Sequence, residues 1–258
     1  MKKSIWLLCL LSFNFFYGQN VEILNKSGFE HNYAIKNMEY IEDVNDTTKL
    51  NYIATLRIIG KANYYTGTVV RWAVKFQETA KKLNANAFCL QNYIEKDSIG
   101  TLIVKVYFAG NYYLKANKLK ANKNNIYLFA TSSHPQDSAY FYLNGTKKTF
   151  NSTENFIVSA SLNTDYNIAV TENKLTNMLV KYKPEKKSRY FIIPKNKTAT
   201  SSFKPMKNPA NKGSAGFAAA AVIGGPIGVG VYMIMSTGPN RVIEIPYKYG
   251  RLMSDIFK

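Results

Sequence analysis

Two cysteines, two histidines and two tryptophans in 258 residues leave little from which to build a reactive centre. His31 and His134 lie far apart, and no group of His, Cys, Asp and Glu has ligand spacing, so neither a zinc site nor a cofactor is expected. The G-x-S-x-G, H-E-x-x-H and P-loop patterns are missing. Acidic residues are scarce, 16 against 34 Lys and Arg. Their densest group, Glu39, Glu42, Asp43 and Asp46, lacks the pattern of a calcium loop and reads as a solvated run. No reaction can be read from these residues, and a non-enzymatic protein is expected.

The first 18 residues read as a secretory signal. Lys2 and Lys3 form a charged start, Ile5 to Leu11 a short apolar core, and Tyr17-Gly18 a cleavage edge. Asn14 interrupts the run well short of the roughly 20 apolar residues of a span. Cys9 is preceded by Leu8 and Trp6 rather than by a lipobox, and Cys89, within AFCLQ, reads as a small buried apolar residue. A chain exported with one cysteine has no internal disulfide, so its core must suffice. The formal charge is +18, or +16 without Lys2 and Lys3. That balance favours anionic partners such as lipid head groups or surface polysaccharide, and export argues against nucleic acid. Lys115, Lys118, Lys120 and Lys123, with Lys183, Lys186, Lys187 and Arg189, are the candidate contacts.

Periodicity divides the remainder into two modules, and the expected class is α+β. Residues 20–114 read as a β-α-β-β domain. Val69, Ala73, Phe76, Ala80 and Leu83 recur at helical steps, with Val70 and Trp72 widening the stripe. Asn51–Ala62, AFCLQNYI and TLIVKVYFAG read as strands, and Asp97–Gly100 as a turn. The join ETAKKLNANAFCLQNY resembles a "lGANA"-like corner of small exported bacterial sensor and stress-type domains, in which a helix feeds a strand. Residues 115–125 read as a basic linker, with no apolar stripe. Residues 126–200 then break into seven short strands, the pattern of an antiparallel β-sandwich.

Tyr140-Phe141-Tyr142-Leu143-Asn144-Gly145 resembles the hairpin of PEGA-like modules of bacterial envelope proteins, where a strand ends in Asn-Gly. SLNTDYNIAVTE would be the later strand of such a module, with Asn163-Thr164 in place of the usual Pro-Gly. The resemblance implies a module that binds or spaces.

Residues 201–258 read as a connector, an apolar Gly-rich segment at 214–238 and a C-terminal strand in RVIEIPYK. Ala215 to Met235 is 21 residues without a charge, long enough to cross a bilayer. Gly216, Ala220, Gly224 and Gly228 fall four apart, a small-residue face on which helices can approach or copies associate. Gly224-Gly225-Pro226 breaks the middle, so the segment could instead enter a membrane as a hairpin or pack on the protein's own sheet. Ile223-Gly224-Gly225, Ile227-Gly228 and Thr237-Gly238 fall where the segment after a PEGA-like module has its glycines, which favours the hairpin.

Three of the six aspartates open triplets at Asp46-Thr47-Thr48, Asp97-Ser98-Ile99 and Asp137-Ser138-Ala139. These fit the D-[ST]-[AILMVT] pattern of a bacterial periplasmic O-glycosylation system, which makes Thr47, Ser98 and Ser138 candidate sites. The sequence therefore predicts an exported protein of the periplasm or outer envelope with a binding or structural role at a membrane. The alternative is a soluble periplasmic sensor or partner-binding protein with segment 214–238 packed on its own fold.

Overall fold

The computed structural model describes residues 20–31, 35, 37–43, 49–62, 66–130, 138–151, 153–161, 163–170, 178–181, 187–194 and 242–257. They form a mostly β protein with three helices and three sheets. The predicted apolar stripe forms α1 (Thr66–Lys82), with Val69, Ala73, Phe76 and Ala80 buried and Val70 and Trp72 beside them. It covers a five-stranded sheet of β1 (Glu22–Lys26), β2 (Glu39–Tyr40), β3 (Asn51–Lys61), β4 (Ala87–Lys96) and β5 (Ile99–Phe108), ordered β1-β3-β5-β4-β2. In β5, Leu102, Val104 and Val106 are buried while Thr101, Ile103 and Lys105 are half-buried, the alternation of a strand with one wetter face.

The NANA corner has a local cause. The Asn84 N–H donates to Lys81 O at 3.0 Å and the Ala85 N–H to Ala80 O at 2.8 Å, closing α1 in a Schellman motif. That motif needs a left-handed residue, and Asn84 supplies it at φ 61°. Asn86 then fastens the corner to the sheet, its side-chain amide accepting from Ala109 N at 2.7 Å and donating to Ala109 O at 2.8 Å.

The seven short strands expected downstream are β6 (Asn125–Ala130), β7 (Ser138–Leu143), β8 (Thr146–Asn151), β9 (Asn155–Ser159), β10 (Asp165–Ala169), β11 (Met178–Lys181) and β12 (Arg189–Ile193). With β13 (Ile243–Ile245) they make two four-stranded sheets, β11-β10-β7-β8 and β13-β12-β6-β9, that share one core. Asn144 and Gly145 turn between β7 and β8 with φ of 50° and 81°, so the Asn-Gly hairpin stands as read. One pair departs from the antiparallel expectation: β12 runs parallel to β6.

Strands β6 and β12 are buried on both faces. Ile126, Leu128, Phe191 and Ile193 face the core between the two four-stranded sheets, while Tyr127, Phe129, Tyr190 and Ile192 join the core of the first sheet. Their unbroken apolar runs, NIYLFA and RYFII, reflect that double burial. The layer between the sheets is α3 (Tyr247–Ile256), which buries Tyr249, Leu252 and Met253.

Two readings are corrected. The C-terminal strand is only three residues long and is followed at once by α3. Tyr249, Leu252, Met253 and Ile256 fall at helical steps, a stripe too short to stand out beside the apolar tract. Residues 115–125 begin inside a helix, α2 (Asn111–Leu119). Tyr113 and Leu114 pack onto a small cluster around Cys89 and Tyr107, and this tertiary packing supplies what a nine-residue helix lacks alone.

Asn117 of α2 replaces a neighbouring strand: it donates to Tyr40 O at 2.7 Å and accepts from Glu42 N at 2.9 Å. The edge of β2 away from β4 is thereby closed.

Gly250 lets α3 lie against Tyr190, because a β-carbon there would overlap the Cβ and Cγ of that ring. Gly250→Ala is therefore expected to destabilise the protein by about 3 kcal/mol. Gly28→Ala, which meets open space, serves as the control in urea unfolding.

Candidate functional site: the polar junction under the C-terminal helix

The flank of α3 opposite its apolar stripe carries Arg251 and Asp255, one turn apart. Arg251 Nη1 donates to Asp255 Oδ1 at 2.7 Å and its Nε to Glu42 Oε2 at 3.0 Å. Glu42 belongs to the acidic run read as solvated, yet its side chain is only 6% exposed. That reading is corrected: Arg251, 209 residues away, draws Glu42 inward. Burial alone would lower the Arg251 pKa, but Asp255 and then Glu42 outweigh it and hold the guanidinium charged.

Tyrosines complete the ring. Tyr40 donates to Asp255 Oδ2 at 2.5 Å and Tyr247 to Glu42 Oε1 at 2.7 Å. Burial, reinforced by these carboxylates, raises both phenol pKa values. The Asn122 N–H donates to the Tyr247 hydroxyl at 2.9 Å, and the Asn122 side chain donates to the Tyr127 hydroxyl at 2.5 Å. The junction thus joins the end of β2, the segment after α2, strand β6 and helix α3.

Beside it opens a cleft of about 390 Å³ lined by Asn122, Tyr127, Asn155, Ile157, Arg251, Ser254 and Asp255. The Arg251 guanidinium makes its hydrogen bonds here through Nε and Nη1. The hydroxyl of the fully buried Tyr190 has no hydrogen bond of good geometry among the described residues. Ser254 is near that hydroxyl; its oxygen donates to Arg251 O at 2.8 Å, accepts from Arg251 Nη1 at 2.9 Å and keeps a second lone pair that can accept from Tyr190. This arrangement can recognise polar groups. Among the described residues no group of His, Cys, Asp and Glu could hold a metal ion.

The predicted contact residues that are described spread from α2 to β12. The antiparallel bridge between Lys123 and Lys187 brings the two basic groups of the sequence together. Lys118 pairs with Glu39 and Lys120 with Asp43, both at 3.3 Å. Arg189 meets Glu244 through two hydrogen bonds of 2.7 Å. Lys187 lies over the Tyr247 ring, and Lys115 is exposed on α2. Ser98 is exposed at the β4–β5 turn, and Ser138 is exposed at the start of β7.

Lys183, Lys186 and Thr47 lie outside the described residues, as do the signal region and segment 214–238 with Gly216, Ala220, Gly224, Gly225, Pro226 and Gly228. Among the described residues no helix is long and apolar enough to cross a membrane. No protein family matches the chain, and neither curated proteins nor solved structures give a significant match.

Sequence reasoning missed Glu42, Arg251, Asp255, Tyr190 and Asn122. Arg251 and Asp255 carried a local signal, an i,i+4 pair on the polar face of an amphipathic stripe. The others meet only through tertiary folding.

The junction and its surroundings predict opposed pH effects. Burial, then the nearby charge of Lys81, lowers the Lys248 pKa from 10.5 to about 8. Between those values the unfolded chain holds this proton and the folded one does not, so Lys248 makes stability rise with pH there. Burial raises the pKa of Tyr40, Tyr107, Tyr190, Tyr247 and Tyr249. Their contribution is complete below the ordinary phenol value, about 10, and is lost above it. Urea midpoints are therefore expected to rise above pH 8 and to fall steeply above about pH 10, as phenolate absorbance appears. Lys248→Met should remove the rise and leave the fall.

Proposed function

We propose that this is an exported cell-envelope protein with a non-enzymatic binding or structural role, held at a membrane by a hairpin of its apolar segment. The observation that carries this reading is the pairing of β12 with β13. Tyr190 faces Ile245 and Ile192 faces Ile243 in an antiparallel ladder, so the chain leaves at the end of one strand and returns on its neighbour. Helix α3 follows directly and is buried in the core of the first sheet. A single membrane crossing between them would carry β13 and α3 to the far side and expose Leu252 and Met253. Entry and exit on one side fit the ladder.

Length supports the same reading. The uncharged tract of 21 residues is too short for two crossings of about 20 residues each. Bent at Gly224-Gly225-Pro226 it gives two arms of roughly 15 Å, which reach about halfway into the hydrocarbon. The four-residue spacing of Gly216, Ala220, Gly224 and Gly228 suits close contact between arms or copies.

The basic excess supplies attraction to anionic lipid or polysaccharide, with Lys123 and Lys187, joined in an antiparallel bridge, among its contributors. The Asn-Gly hairpin supports a PEGA-like module, and the exposed Ser98 and Ser138 support O-glycan attachment outside the cytosol.

Membrane fractionation tests the anchor. The full chain is expected to stay with membranes through a carbonate wash, while deletion of residues 214–238 should yield a folded protein in the supernatant. Release of the full chain by carbonate would favour the soluble periplasmic reading. Sidedness is tested with Leu119→Cys and Pro246→Cys, both exposed positions. An impermeant thiol reagent should label the two from the same side of the membrane, and labelling from opposite sides would sink the hairpin. For the glycans, intact-mass spectrometry of protein from its own host should show added hexose-sized mass that Thr47→Ala, Ser98→Ala and Ser138→Ala together abolish.

A further inference from the structure

We propose that helix α2 lies on the surface of an anionic bilayer, with Tyr112 and Leu119 at the level of the lipid head groups. This rests on the membrane reading for the presence of a bilayer and adds a contact separate from residues 214–238. The side of α2 that the core uses decides which side is left. Tyr113 and Leu114 pack on the cluster around Cys89 and Tyr107, and Asn117 is buried against β2. At about 100° per residue those three share one side of the helix, and Tyr112, Lys115 and Leu119 share the opposite one. The folded protein therefore turns a tyrosine and a leucine outward. Tyr112 is 85% exposed and Leu119 77%, more than any other large hydrophobic residue among those described.

Charge selects what covers them. Residues 111–125 carry four lysines and no acid. Lys115 is exposed between Tyr112 and Leu119, about one turn from each. Lys118 and Lys120 meet Glu39 and Asp43 but keep 51% and 46% of their side chains exposed. Apolar and aromatic groups interleaved with lysines suit a helix lying in a bilayer interface. Tyrosine and leucine enter the head-group boundary, and the lysine stems carry their charge to the phosphates. The same side of the first sheet repeats the pattern beyond the helix. Ile59 and Ile94 flank Thr101, and Lys61 and Lys96 flank Ile99, in register across β3, β5 and β4. The three isoleucines are exposed, on the face of β5 that Tyr107 presents to α2. A second copy fits this charge poorly, since a two-fold contact would set Lys115 and Lys118 against their own equivalents.

The test uses the full chain carrying Tyr112→Trp, a conservative change at an exposed site, made in a host without the O-glycosylation system so that Ser98 stays bare. Trp72 is fully buried and gives a constant background. The protein is mixed with vesicles of phosphatidylcholine, alone or with phosphatidylglycerol, whose acyl chains carry bromine. Bromine is expected to quench the tryptophan at position 112 in the anionic vesicles, and much less in neutral ones or at high salt. Lys115→Ala should lower this docking about fivefold, the worth of one basic residue at an anionic surface. Leu119→Ser should lower it about tenfold. Leu179→Trp, exposed on β11, is the control and should stay unquenched. The proposal is overturned if position 112 is unquenched in anionic vesicles, if neutral vesicles or the control quench equally, or if neither variant weakens quenching. Self-association through Tyr112 and Leu119 in place of quenching would overturn it too and assign the stripe to a second copy. The two membrane contacts fail separately. A chain quenched at position 112 yet released by carbonate keeps this contact and sinks the hairpin; a chain retained through carbonate but unquenched does the reverse.

Discussion

Everything in this fold depends on how closely α3 approaches Tyr190. The ring occupies the space that any side chain larger than hydrogen at Gly250 would need. That contact seats the helix so that Tyr249, Leu252 and Met253 enter the core of the first sheet while Tyr127, Phe129 and Ile192 meet it from the other side. Each buried side chain of this size contributes roughly 1.5 to 3 kcal/mol. The exposed pairs Lys118–Glu39 and Lys120–Asp43 are worth at most about 1 kcal/mol each. The apolar wedge therefore holds the sheets together, and the surface ion pairs adjust its rim.

The partly buried ions under the wedge have a different part. Removing Arg251, Glu42 and Asp255 together in favour of apolar side chains need cost little, because desolvating three charges is itself expensive. Removing one alone strands the rest. Such a group specifies an arrangement more than it strengthens one. It fixes the rotation of α3 against the end of β2, and through Tyr247 and Asn122 it fixes the segment that leads into β6.

The sequence disclosed what is periodic and local. The α1 stripe, the alternation in β5 and the Asn-Gly hairpin were legible because each is decided within about a dozen neighbouring residues. The NANA corner was visible as a pattern, and its cause, a left-handed Asn84 followed by an Asn86 that mimics backbone, needed the fold. Helix α2 was hidden because its lysines and asparagines have no stripe of their own. Its pivotal residue is Asn117, a polar side chain that works only because a strand edge lies beside it. The junction was hidden for a stronger reason: Glu42 and Arg251 are 209 positions apart, and although Asp255 marks Arg251 as one half of an ion pair, nothing near Glu42 marks it as the other partner.

The same wedge constrains the path of the chain on either side of the apolar segment. Strand β13 and helix α3 are one continuous piece, and that piece is locked between two sheets whose strands come from the preceding two hundred residues. Whatever medium receives residues 214–238, the chain has to come back from it to complete the core. Under the proposed membrane reading, an anchor placed between two paired strands would leave folding unable to finish until the excursion closes. The closing ladder is only three residue pairs long, so the helix behind it supplies most of the hold. Attachment and folding would then share one element, and a variant that loosens α3 would weaken both together.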